Sequence, residues 1–528
     1  MGIYLNPGNE SYKAILKGIY VDKTDIIDVI NQTIGTSDKL TCISKPRRFG
    51  KSYTAKMLCA YYDKTCLDSK ELFDDKKISC CCTYAEHLGK YNVIYLDITS
   101  FLSDTDKTSE VVKKIKAAIL NELVKEFNTV SENDSLVEAL LKARIEDDTK
   151  FFFIIDEWDV LFREQKDKSK LLEEYVSFLR DLFKNGNFTD RAIAGAFMTG
   201  ILPIKKYGHQ SAISDFREYT MIQPSIFSQY VGFVEADIDV LAKNYSCDRE
   251  KLKNWYDGYS FPGVGAIYNP NSVCQAIRTG VYDTYWSKTE TYTALLDYIN
   301  MDTDGLQADL IQMIGGNEMP VDTSTFQNDM TSINGRNDVL SLLIHLGYLA
   351  YDNQSERVRI PNEEIRREFI STVRSGTHDV TTKIIKNSDQ LIADTIDMNE
   401  EAVARAIQNA HDAGCFGVSP LFYNDEQALR SVVKFAYISS ANNYLKIEEL
   451  PSGHGYCDVA YIPVSGKHLP VLLIELKVNS SSEGALAQIK EKNYPKIFEN
   501  VDNDIILCGI SYDPKTKAHS CRIEKIKL

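Results

Sequence analysis

The amino-acid sequence predicts an α/β protein in three parts, and three changes of pattern along the chain support this prediction. Up to about residue 230, short apolar runs typical of buried strands alternate with long amphipathic segments, which favours a parallel sheet with helices on both faces. The pattern of residues 231–400 is mainly helical. From residue 405 to 528, three apolar runs in a row stand between helical segments, and this order indicates a separate α/β module.

The composition limits the class of protein. The 528 residues are enough for about two to four domains, and 44% hydrophobic residues can fill ordinary globular cores. A net charge of −15 disfavours a surface coated by nucleic acid but permits one local basic groove. We see no secretory leader pattern and no apolar run of membrane-spanning length, so we expect a cytoplasmic protein that has no membrane contact and whose 12 cysteines stay reduced.

Four apolar runs are the predicted strands of the first part. Charged amphipathic segments between them, such as Ser109–Phe127 and Lys168–Phe183, are predicted helices. Because such helices separate the runs, we expect the strands to lie parallel. The runs are KLTCIS at residues 39–44, YNVIYLDIT at 91–99, KFFFIIDE at 150–157 and AIAGAFMTG at 192–200.

The segment SKPRRFGKSYTAK, residues 44–56, has the pattern of a phosphate-binding loop. In such a loop, backbone N–H groups wrap phosphates at the amino end of a helix. Gly50, Lys51 and Ser52 supply the Gly-Lys-Ser ending, in which the lysine would reach the β- and γ-phosphates of ATP and the hydroxyl would bind Mg²⁺. The pattern also asks for a glycine where this chain has Lys45, so the motif alone leaves a look-alike turn open.

Three further residues of this loop are candidates for nucleotide binding. Arg47 and Arg48 would either contact phosphate directly or brace neighbouring acids, and Phe49 precedes the motif glycine. Pro46 can enforce a turn at the entry of the loop in place of the missing glycine. We therefore include Arg47, Arg48 and Phe49 in the predicted nucleotide site.

The run FFFIIDEWD places two acids at the end of a predicted buried strand. Ligands of open α/β sheets bind at the carboxyl ends of the strands. In that position Asp156 would hold Mg²⁺, and Glu157 would polarise the water that attacks the γ-phosphate. The alternative is a core strand that ends in solvated acids.

Polar residues on and near the next strand are further candidates. Thr199 ends the run AIAGAFMTG and would sense the γ-phosphate or orient water; the alternative is a helix-capping or turn residue. Arg191 and Arg217 are candidates for an arginine that stabilises charge during hydrolysis. The alternative for each of them is an ordinary surface arginine.

The last part of the chain carries charged residues within apolar strands. GYCDVAY places Asp458 in one predicted strand, and LIELKV places Glu475 and Lys477 at alternate positions of the next, so both side chains point to one face. Charges among Val, Leu and Ile are costly unless they are paired or bind metal. Asp458 and Glu475 would hold Mg²⁺ or Mn²⁺, and Lys477 would stabilise charge on a phosphodiester during hydrolysis.

Three other residues extend this predicted site. Glu449 lies in the preceding run NYLKIEEL and could point at the same metal. Glu426 on a predicted helix before the strands and Gln488 on one after them would complete the pocket. The alternative is a solvent-facing edge with an ordinary Glu/Lys pair, since the pattern is short and degenerate.

Residues 338–369, DVLSLLIHLGYLAYDNQSERVRIPNEEIRREF, have the pattern of a winged helix. We expect Gly347 to end a helix and Arg359–Pro361 to form one strand of the wing. Winged helices often contact DNA, but here acids accompany the arginines, so we expect a structural or partner-docking role. These acids are Glu363, Glu364 and Glu368.

Motifs from all three parts together resemble a family of bacterial proteins with an N-terminal AAA-ATPase-like domain and a C-terminal PD-(D/E)XK nuclease-like domain. The resemblance spans nearly the whole chain. The family carries the loop PRRFGKS without the first glycine, as this chain does, and usually has tyrosine in place of Trp158. The motifs are YVDKT at 20–24, PRRFGKS at 46–52, IDEWD at 155–159, TGILPI at 199–204, WYDGYSF at 255–261, YNPNSV at 268–273, LGYL at 346–349 with RIPNEEIRREF up to 369, CDVAY at 457–461, IELK at 474–477 and AQIKEKNY at 487–494.

The resemblance implies three domains. It implies an AAA-like P-loop NTPase domain at 1–230, a helical lid and winged-helix-like region at 231–400, and a restriction-endonuclease-like α/β domain at 405–528. It also implies that the altered loop binds nucleotide. The residues to which it gives the nucleotide and hydrolysis roles are Lys51, Ser52, Asp156 and Glu157, and those that match the nuclease core are Asp458, Glu475 and Lys477.

We therefore expect an ATPase whose nucleotide cycle controls a Mg²⁺- or Mn²⁺-dependent nuclease. The family often has Gly-Arg before its core aspartate, whereas Tyr456 follows Gly455 here, which removes a positive charge near the substrate phosphate. The alternative is a non-catalytic, nucleotide-regulated protein that binds a partner or nucleic acid through a degenerate nuclease module. The sequence leaves open whether the substrate is DNA or RNA, what triggers the activity and whether the chain forms oligomers.

Overall fold

A computed structural model describes two compact units of this chain. The first unit comprises Met1–Arg249, Asp257–Arg278 and Val321–Glu356, and the second comprises Glu250–Tyr256, Thr279–Pro320 and Arg357–Leu528. Among the described residues, no helix is long and apolar enough to cross a membrane. The described residues are 2–104, 110–164, 169–204, 213, 215–286, 305–326, 333, 335–375, 379–412, 426–452, 455–463, 469–498 and 504–526.

A five-stranded parallel sheet forms the centre of the first unit. Its strands are β1 (Leu40–Ser44), β2 (Asn92–Asp97), β3 (Phe151–Asp156), β4 (Ile193–Gly200) and β5 (Arg217–Tyr219). They lie in the order β2-β3-β4-β1-β5 with every neighbouring pair parallel. The four predicted strands and their parallel arrangement are confirmed. The short β5 was not predicted, because Arg-Glu-Tyr is not an apolar run.

Helices accompany the strands of the first unit in alternation. They are α1 (Glu10–Leu16), α2 (Ile26–Asn31), α3 (Lys51–Tyr62), α4 (Ser69–Phe73), α5 (Tyr84–His87), α6 (Ile98–Ser103), α7 (Val111–Glu126), α8 (Leu136–Asp147), α9 (Val160–Glu164), α10 (Ser169–Phe183), α11 (Gly186–Ala192) and α12 (Glu235–Tyr245). The predicted helices at 109–127 and 168–183 correspond to α7 and α10. Helix α7 shows why the pattern was recognisable, since its buried residues Val111, Ile115, Ile119 and Leu123 recur every four positions.

The burial of β3 explains how the sheet positions acids. All six residues of β3 are buried, as expected for a central parallel strand covered on both faces. Phe153 and Ile155 belong to the same core as residues of α7, α8 and α10. The strand therefore carries Asp156 to the carboxyl edge of the sheet without exposing it to bulk solvent.

A second, antiparallel sheet belongs to the first unit. It consists of β6 (Phe233–Val234), β8 (Gly265–Tyr268) and β7 (Tyr259–Phe261), in that order. The remaining elements of this unit are α14 (Pro270–Thr279), whose last residue begins the second unit, α16 (Arg336–Leu346) and β10 (Ala350–Asp352). Gly347 ends α16 with φ of 85°, the left-handed region that favours glycine, so this predicted helix stop is confirmed.

The second unit is built on another five-stranded sheet, in the order β12-β13-β14-β15-β16. The strands are β12 (Tyr444–Ser452), β13 (Gly455–Pro463), β14 (Val471–Val478), β15 (Ile505–Asp513) and β16 (Ala518–Ile526). Only β14 and β15 pair in parallel, and the other neighbours are antiparallel. The three consecutive strands predicted from the sequence are β12, β13 and β14, whereas β15 and β16 were not predicted.

Helices and two short strands complete the second unit. They are α13 (Arg249–Tyr256), whose first residue belongs to the first unit, α15 (Leu306–Ile314), β9 (Met319–Pro320), β11 (Arg357–Arg359), α17 (Glu363–Ser375), α18 (Asp379–Ile396), α19 (Glu400–Asp412), α20 (Glu426–Ala436) and α21 (Ser482–Glu491). The strand predicted at Arg359–Pro361 lies two residues earlier, at Arg357–Arg359. Pro361 has no N–H to extend it, and Asn362 caps α17 by accepting a hydrogen bond from the Ile365 N–H at 3.0 Å.

The predicted acids of the middle region are buried beside arginines. Glu363 lies within 3.8 Å of Arg366 and 3.7 Å of Arg367, and Glu364 and Glu368 are also buried. Arg367 in turn stacks its guanidinium 4.2 Å from the ring centroid of Trp255. These contacts support the structural role expected for the acids. The winged helix itself and the three-domain division of the chain stay predictions.

Candidate functional site

The phosphate-binding loop runs from the end of β1 into α3. Gly50 precedes the helix with φ of 92°, a conformation that glycine adopts without strain, and Arg48 also has a positive φ of 68°. Helix α3 is 12 residues long, and the N–H groups of its first turn need partners outside the helix. The loop therefore presents backbone donors and a helix amino end together, as an anion site requires.

Lys51 is folded onto this loop. Its buried Nζ donates hydrogen bonds to the carbonyl oxygens of Lys45 at 2.9 Å and Pro46 at 2.8 Å. Burial lowers the pKa of Lys51, and the carboxylate of Glu157 opposes that shift. Within the described parts of the chain, the Ser52 hydroxyl forms no hydrogen bond. A lysine held only by neutral carbonyls and a free hydroxyl fit the phosphates and Mg²⁺ of a nucleotide.

The residue in place of the missing glycine has a structural function. Lys45 is completely buried, and its Nζ lies 3.7 Å from the ring centroid of Phe261 on β7. That nitrogen has no hydrogen-bond partner among the described residues, and burial lowers its pKa. Phe49 of the loop packs edge-on against Tyr259 of the same strand, with 5.4 Å between the ring centroids. Strand β7, part of the motif WYDGYSF, thus supports the altered loop by packing against Lys45 and Phe49. The sequence did not indicate this role.

A cavity of about 390 Å³ opens beside the loop. One wall is the loop itself, from Arg47 to Thr54. The other walls combine aromatic and aliphatic side chains with a few polar and charged ones, which suits the nucleoside part of ATP. Tyr12, Tyr20 and Val21 are among the apolar ones, the last two from the motif YVDKT, and Asn271, Cys274 and Arg278 line the cavity from one face of α14. The sequence analysis quoted this motif without giving it a site role.

The predicted acids and Thr199 lie together at the carboxyl edge of the first sheet. Asp156 is 2% exposed and accepts a hydrogen bond from the Thr199 hydroxyl. Glu157 follows with φ of 53°, which is unusual for a residue with a side chain. Burial raises the pKa of Glu157, whereas Lys51 acts against the rise. The geometry therefore brings the predicted Mg²⁺ ligand, the predicted base and the polar strand end into one place.

Arg163 is a residue of this site that the sequence analysis missed. Its guanidinium donates to Glu157 Oε2 at 2.5 Å and to Asp159 Oδ2 at 3.0 Å. Asp159 also accepts hydrogen bonds from the N–H groups of Ile201 and Leu202, at 3.1 and 2.8 Å. The spacing of Arg163 four residues after Asp159, on the same helical turn, was the signal that could have revealed it. In this arrangement Glu157 is paired with an arginine instead of facing water.

The two arginines considered for charge stabilisation lie elsewhere. Arg217 begins β5, opposite Thr41, and pairs with Asp38, which precedes the amino end of β1. Arg191 lies near the end of α11, which leads into the amino end of β4. Neither arginine therefore lies at the carboxyl edge that holds the loop and the acids. Within a single chain, both are ordinary surface arginines.

In the second unit, three predicted carboxylates lie one residue beyond paired positions on three adjacent strands. Glu448 pairs with Val459 across β12 and β13, and Val459 pairs with Ile474 across β13 and β14. Glu449, Asp458 and Glu475 are the next residues on β12, β13 and β14, but neither Glu449 and Asp458 nor Asp458 and Glu475 form a pair of the ladder. Carboxylates that lie this close together need a cation or a proton among them.

Arg430 on α20 supplies positive charge to two of them. Its guanidinium donates to Asp458 Oδ1 at 2.7 Å and to Glu449 Oε1 at 2.8 Å. Asp458 Oδ2 accepts the Leu476 N–H at 2.8 Å. Glu449 has φ of 50°, and its side chain is 67% exposed. The sequence analysis named Glu426 on this helix but missed Arg430.

The burial of Glu475 and the hydrogen bonds of its carboxylate indicate whether a metal ion suits this site. It is 2% exposed, and its Oε2 atom is buried without a hydrogen-bond partner in the described structure. Burial raises the pKa of Glu475 to about 7, and the neighbouring Asp458 adds to the rise. A buried carboxylate oxygen without a partner is costly, and a divalent cation would satisfy it. The Oε2 oxygen of Glu475 therefore suits Mg²⁺ or Mn²⁺, and Asp458 and Glu449 would join it as ligands only if Arg430 moves away from both.

The remaining predicted residues surround Glu475 as expected. Lys477 Nζ lies 3.7 Å from Glu475 Oε1 and 3.5 Å from Glu426 Oε1. Gln488 on α21 donates a hydrogen bond to Glu475 Oε1. Yet no group of three or more His, Cys, Asp or Glu side chains among the described residues has the arrangement of a ready metal site. The described geometry is that of a paired, arginine-bridged site.

Two family models match the two ends of the chain. Residues 8–209 match the AAA-ATPase-like family, described as predicted AAA-ATPase, and residues 424–520 match the PD-(D/E)XK nuclease superfamily. The first match covers the loop, Asp156, Glu157 and Thr199. The second covers Arg430 and the residues that surround Glu475. The chain thus combines an AAA-ATPase-like region with a C-terminal nuclease-superfamily region, as the sequence predicted, and no curated protein matches it significantly.

Three of the solved structures with detectable similarity are from Pyrococcus abyssi, Aeropyrum pernix and C. elegans. The Walker-type ATPase PABY2304 of Pyrococcus abyssi is 12% identical, with 66% of this chain and 94% of that chain covered and a TM-score of 0.34. The ORC2 protein of Aeropyrum pernix, in ADPNP–ADP complexes, is 10% identical over 69% and 93%, with a TM-score of 0.28. PCH-2 of C. elegans is 13% identical over 64% and 71%, with a TM-score of 0.20. At these TM-scores the similarity supports no argument about this chain.

Arg430→Gln should strengthen the binding of divalent cations to the second unit. The variant removes the positive charge that holds Asp458 and Glu449, so we expect the Kd for Ca²⁺ or Mn²⁺ to fall by about 3- to 10-fold, or about 0.7–1.4 kcal/mol. Isothermal titration without nucleotide measures it. Lys434→Gln is the matched control, since Lys434 lies one turn later on α20 and pairs with Glu448 at 3.1 Å. Weaker binding by Arg430→Gln than by Lys434→Gln would show that Arg430 organises the carboxylates rather than competing with the ion.

Proposed function

We propose that this chain binds and hydrolyses ATP and that its nucleotide state controls a metal-dependent nuclease acting on DNA or RNA. The proposal is supported above all by the second unit, where Asp458 accepts the N–H of Leu476, the residue after Glu475, and Lys477 lies 3.7 Å from Glu475. This is the set of groups that phosphodiester hydrolysis needs. The same chain carries a loop and acids suited to ATP, which favours a regulated enzyme.

In ATP hydrolysis, the loop would hold the phosphates through its N–H groups, while Lys51 leaves the carbonyls of Lys45 and Pro46 for the β- and γ-phosphate oxygens. Ser52 and Asp156 would hold Mg²⁺, which neutralises phosphate charge when bound. Glu157 would accept a proton from the attacking water, for which it must leave Arg163. While Glu157 is paired with Arg163 it cannot serve as the base, so the described geometry is a resting state.

In phosphodiester hydrolysis, Asp458, Glu475 and Glu449 would hold the divalent ion. A bound ion would make water more acidic and stabilise charge on the phosphate. Lys477 would place its ammonium beside the phosphate, while Gln488 keeps Glu475 oriented. Because burial raises the pKa of Glu475 to about 7, this carboxyl would lose a proton when it binds the ion, so the activity should rise with pH through this region.

The path of the chain supports control of one site by the other. The backbone passes between the two units five times, at residues 249–250, 256–257, 278–279, 320–321 and 356–357. Two of these passages are next to the nucleotide site, since Arg278 lines the cavity and β7 supports the loop. A shift of α14 or β7 on nucleotide binding would therefore act directly on backbone that continues into the second unit.

A second candidate function is a nucleotide-regulated protein that binds nucleic acid or a partner without cutting. The observation that favours it is Arg430, which already neutralises Asp458 and Glu449 without a metal. Tyr456 in place of an arginine favours it too. In that case the nuclease module would act as a binding surface.

Lys51→Ala should abolish most ATP binding, and Glu157→Gln should keep binding but slow hydrolysis. The first removes the ammonium from the phosphate cradle, and the second removes only the base, with an expected loss of about 100-fold or more in kcat. Isothermal titration and phosphate release measure the two effects. Lys56→Ala, which changes a lysine further along α3, is the control. ATP binding by Lys51→Ala as tight as that of the Lys56→Ala control would contradict the assignment of the loop.

Strand cleavage should require Mg²⁺ or Mn²⁺, with Ca²⁺ bound but inactive. The Asp458→Ala/Glu475→Ala double variant should lose both metal and cleavage, whereas Lys477→Ala should keep the metal and lose rate, because it removes only the charge beside the phosphate. Labelled single- and double-stranded DNA and RNA are the substrates, and metal binding is titrated in parallel. Unchanged cutting by the double variant would overturn this site assignment, and intact metal binding without cutting of any substrate would favour the second candidate.

Two variants can hold the nucleotide site in opposite states and thereby test control. Glu157→Gln with ATP should represent the bound state and Lys51→Ala the empty state, and both leave the nuclease residues intact. We expect their cleavage rates with Mn²⁺ to differ by at least about fivefold, the lower range of allosteric coupling. The measurement is single-turnover cleavage with and without ATP. Equal rates in both variants would show that the two sites act independently.

A further inference from the structure

The cations around the nuclease carboxylates differ in whether they are already paired. Arg430 is shared by Asp458 and Glu449, and Lys477 lies between Glu475 and Glu426. The charge of Lys492 acts on Glu475, but among the described residues its ammonium forms no ion pair and no hydrogen bond. It is therefore a cation whose charge remains available for a substrate anion.

The position of Lys492 follows from Gly455. Lys492 caps the carboxyl end of α21, and its side chain crosses the first residue of β13. The Lys492 Cδ and Nζ lie 2.8 Å and 3.4 Å from the point where a Cβ atom of Gly455 would be. A side chain at position 455 would push the flexible lysine chain aside. The positive charge of the ammonium also acts on Glu475, where it counteracts the rise in the pKa of that carboxyl.

The start of β13 is tied to the segment that carries Lys492. The Tyr494 hydroxyl donates to the Tyr456 carbonyl oxygen at 2.6 Å, and it lies 3.4 Å from the same Cβ point of Gly455 as the Lys492 ammonium. Tyr456 is 64% exposed, and strand alternation turns its ring to the face opposite to this point. An unpaired ammonium beside carboxylates suits a nucleic-acid strand, whose backbone presents a phosphate at every nucleotide.

We propose that Lys492 is a substrate-positioning residue that binds a backbone phosphate of a single DNA or RNA strand next to the Asp458–Glu475 carboxylates. This inference rests on the proposed nuclease function and names the group that holds its substrate. The phosphate occupies the space beside Gly455. Lys492 touches a phosphate in the bound complex without taking part in bond cleavage.

The test is the salt dependence of binding by the full chain in EDTA, where cleavage cannot occur. Fluorescence anisotropy of labelled single-stranded DNA and RNA 20-mers gives Kd over a range of salt. Loss of one phosphate contact lowers the slope of log K against log salt by about 0.7 for a single strand. We expect this decrease for Lys492→Gln, with a Kd about 3- to 10-fold higher, and near wild-type values for Lys492→Arg. The comparison of the DNA and RNA arms shows which strand is preferred.

Lys490→Gln is the matched control, since Lys490 lies on the same helix and pairs with Glu524 at 2.5 Å. It should leave the slope unchanged. Equal slopes for wild type, Lys492→Gln and Lys490→Gln, or no binding of either strand by wild type, would overturn the proposal. The nuclease proposal fails separately: a slope lowered only in Lys492→Gln, together with no cleavage by wild type in Mn²⁺, keeps Lys492 as a phosphate-binding residue of a non-cutting module.

Discussion

Carboxylates that lie close together at a strand end need a cation between them, and both candidate sites depend on this constraint. In the first unit Arg163 bridges Glu157 and Asp159, and in the second Arg430 bridges Glu449 and Asp458. All of these side chains are mostly buried except Glu449, which is 67% exposed, and removing one partner of a buried pair is strongly destabilising, so the arginines allow the apolar strands to carry acids. In the second unit this positive charge lies where a divalent ion would bind, and in the first unit it lies on the predicted base, next to the predicted Mg²⁺ ligand Asp156.

The two bridges share a second feature. Each involves a glutamate in the left-handed region, Glu157 with φ of 53° and Glu449 with φ of 50°. Such a backbone is less favourable for a residue with a side chain, and it persists only where the surrounding contacts hold it. An ion or substrate that releases the arginine also releases a strained glutamate. This gives both sites a resting and an engaged arrangement built from the same residues, and it explains how metal binding could be sensitive to events elsewhere in the chain.

The sequence was sufficient for elements with strong local patterns. Buried strands such as Phe151–Asp156 and the alternation of Glu475 and Lys477 followed from apolar runs and strand period. Contacts between distant segments could not be predicted, because no local pattern encodes them. Lys45 was identified only as a missing glycine, yet its amine lies on Phe261, more than 200 residues away. Tyr456 indicated a lost positive charge, whereas the structure brings Lys492 across Gly455 from the following helix. Arg430 was missed for the same reason, whereas Arg163 was missed although its spacing from Asp159 is local, and β5 was missed because Arg-Glu-Tyr is not an apolar run.

The central claim is that a divalent ion replaces the arginine bridge in the second unit. The most direct measurement is an anomalous difference map from crystals of the full chain grown with Mn²⁺. The account predicts a peak within about 2.5 Å of Glu475 Oε2 and of an Asp458 carboxylate oxygen, with the Arg430 guanidinium turned away from Asp458. Crystals saturated with Mn²⁺ that show no peak there, with Arg430 still bonded to Asp458 and Glu449, would contradict it.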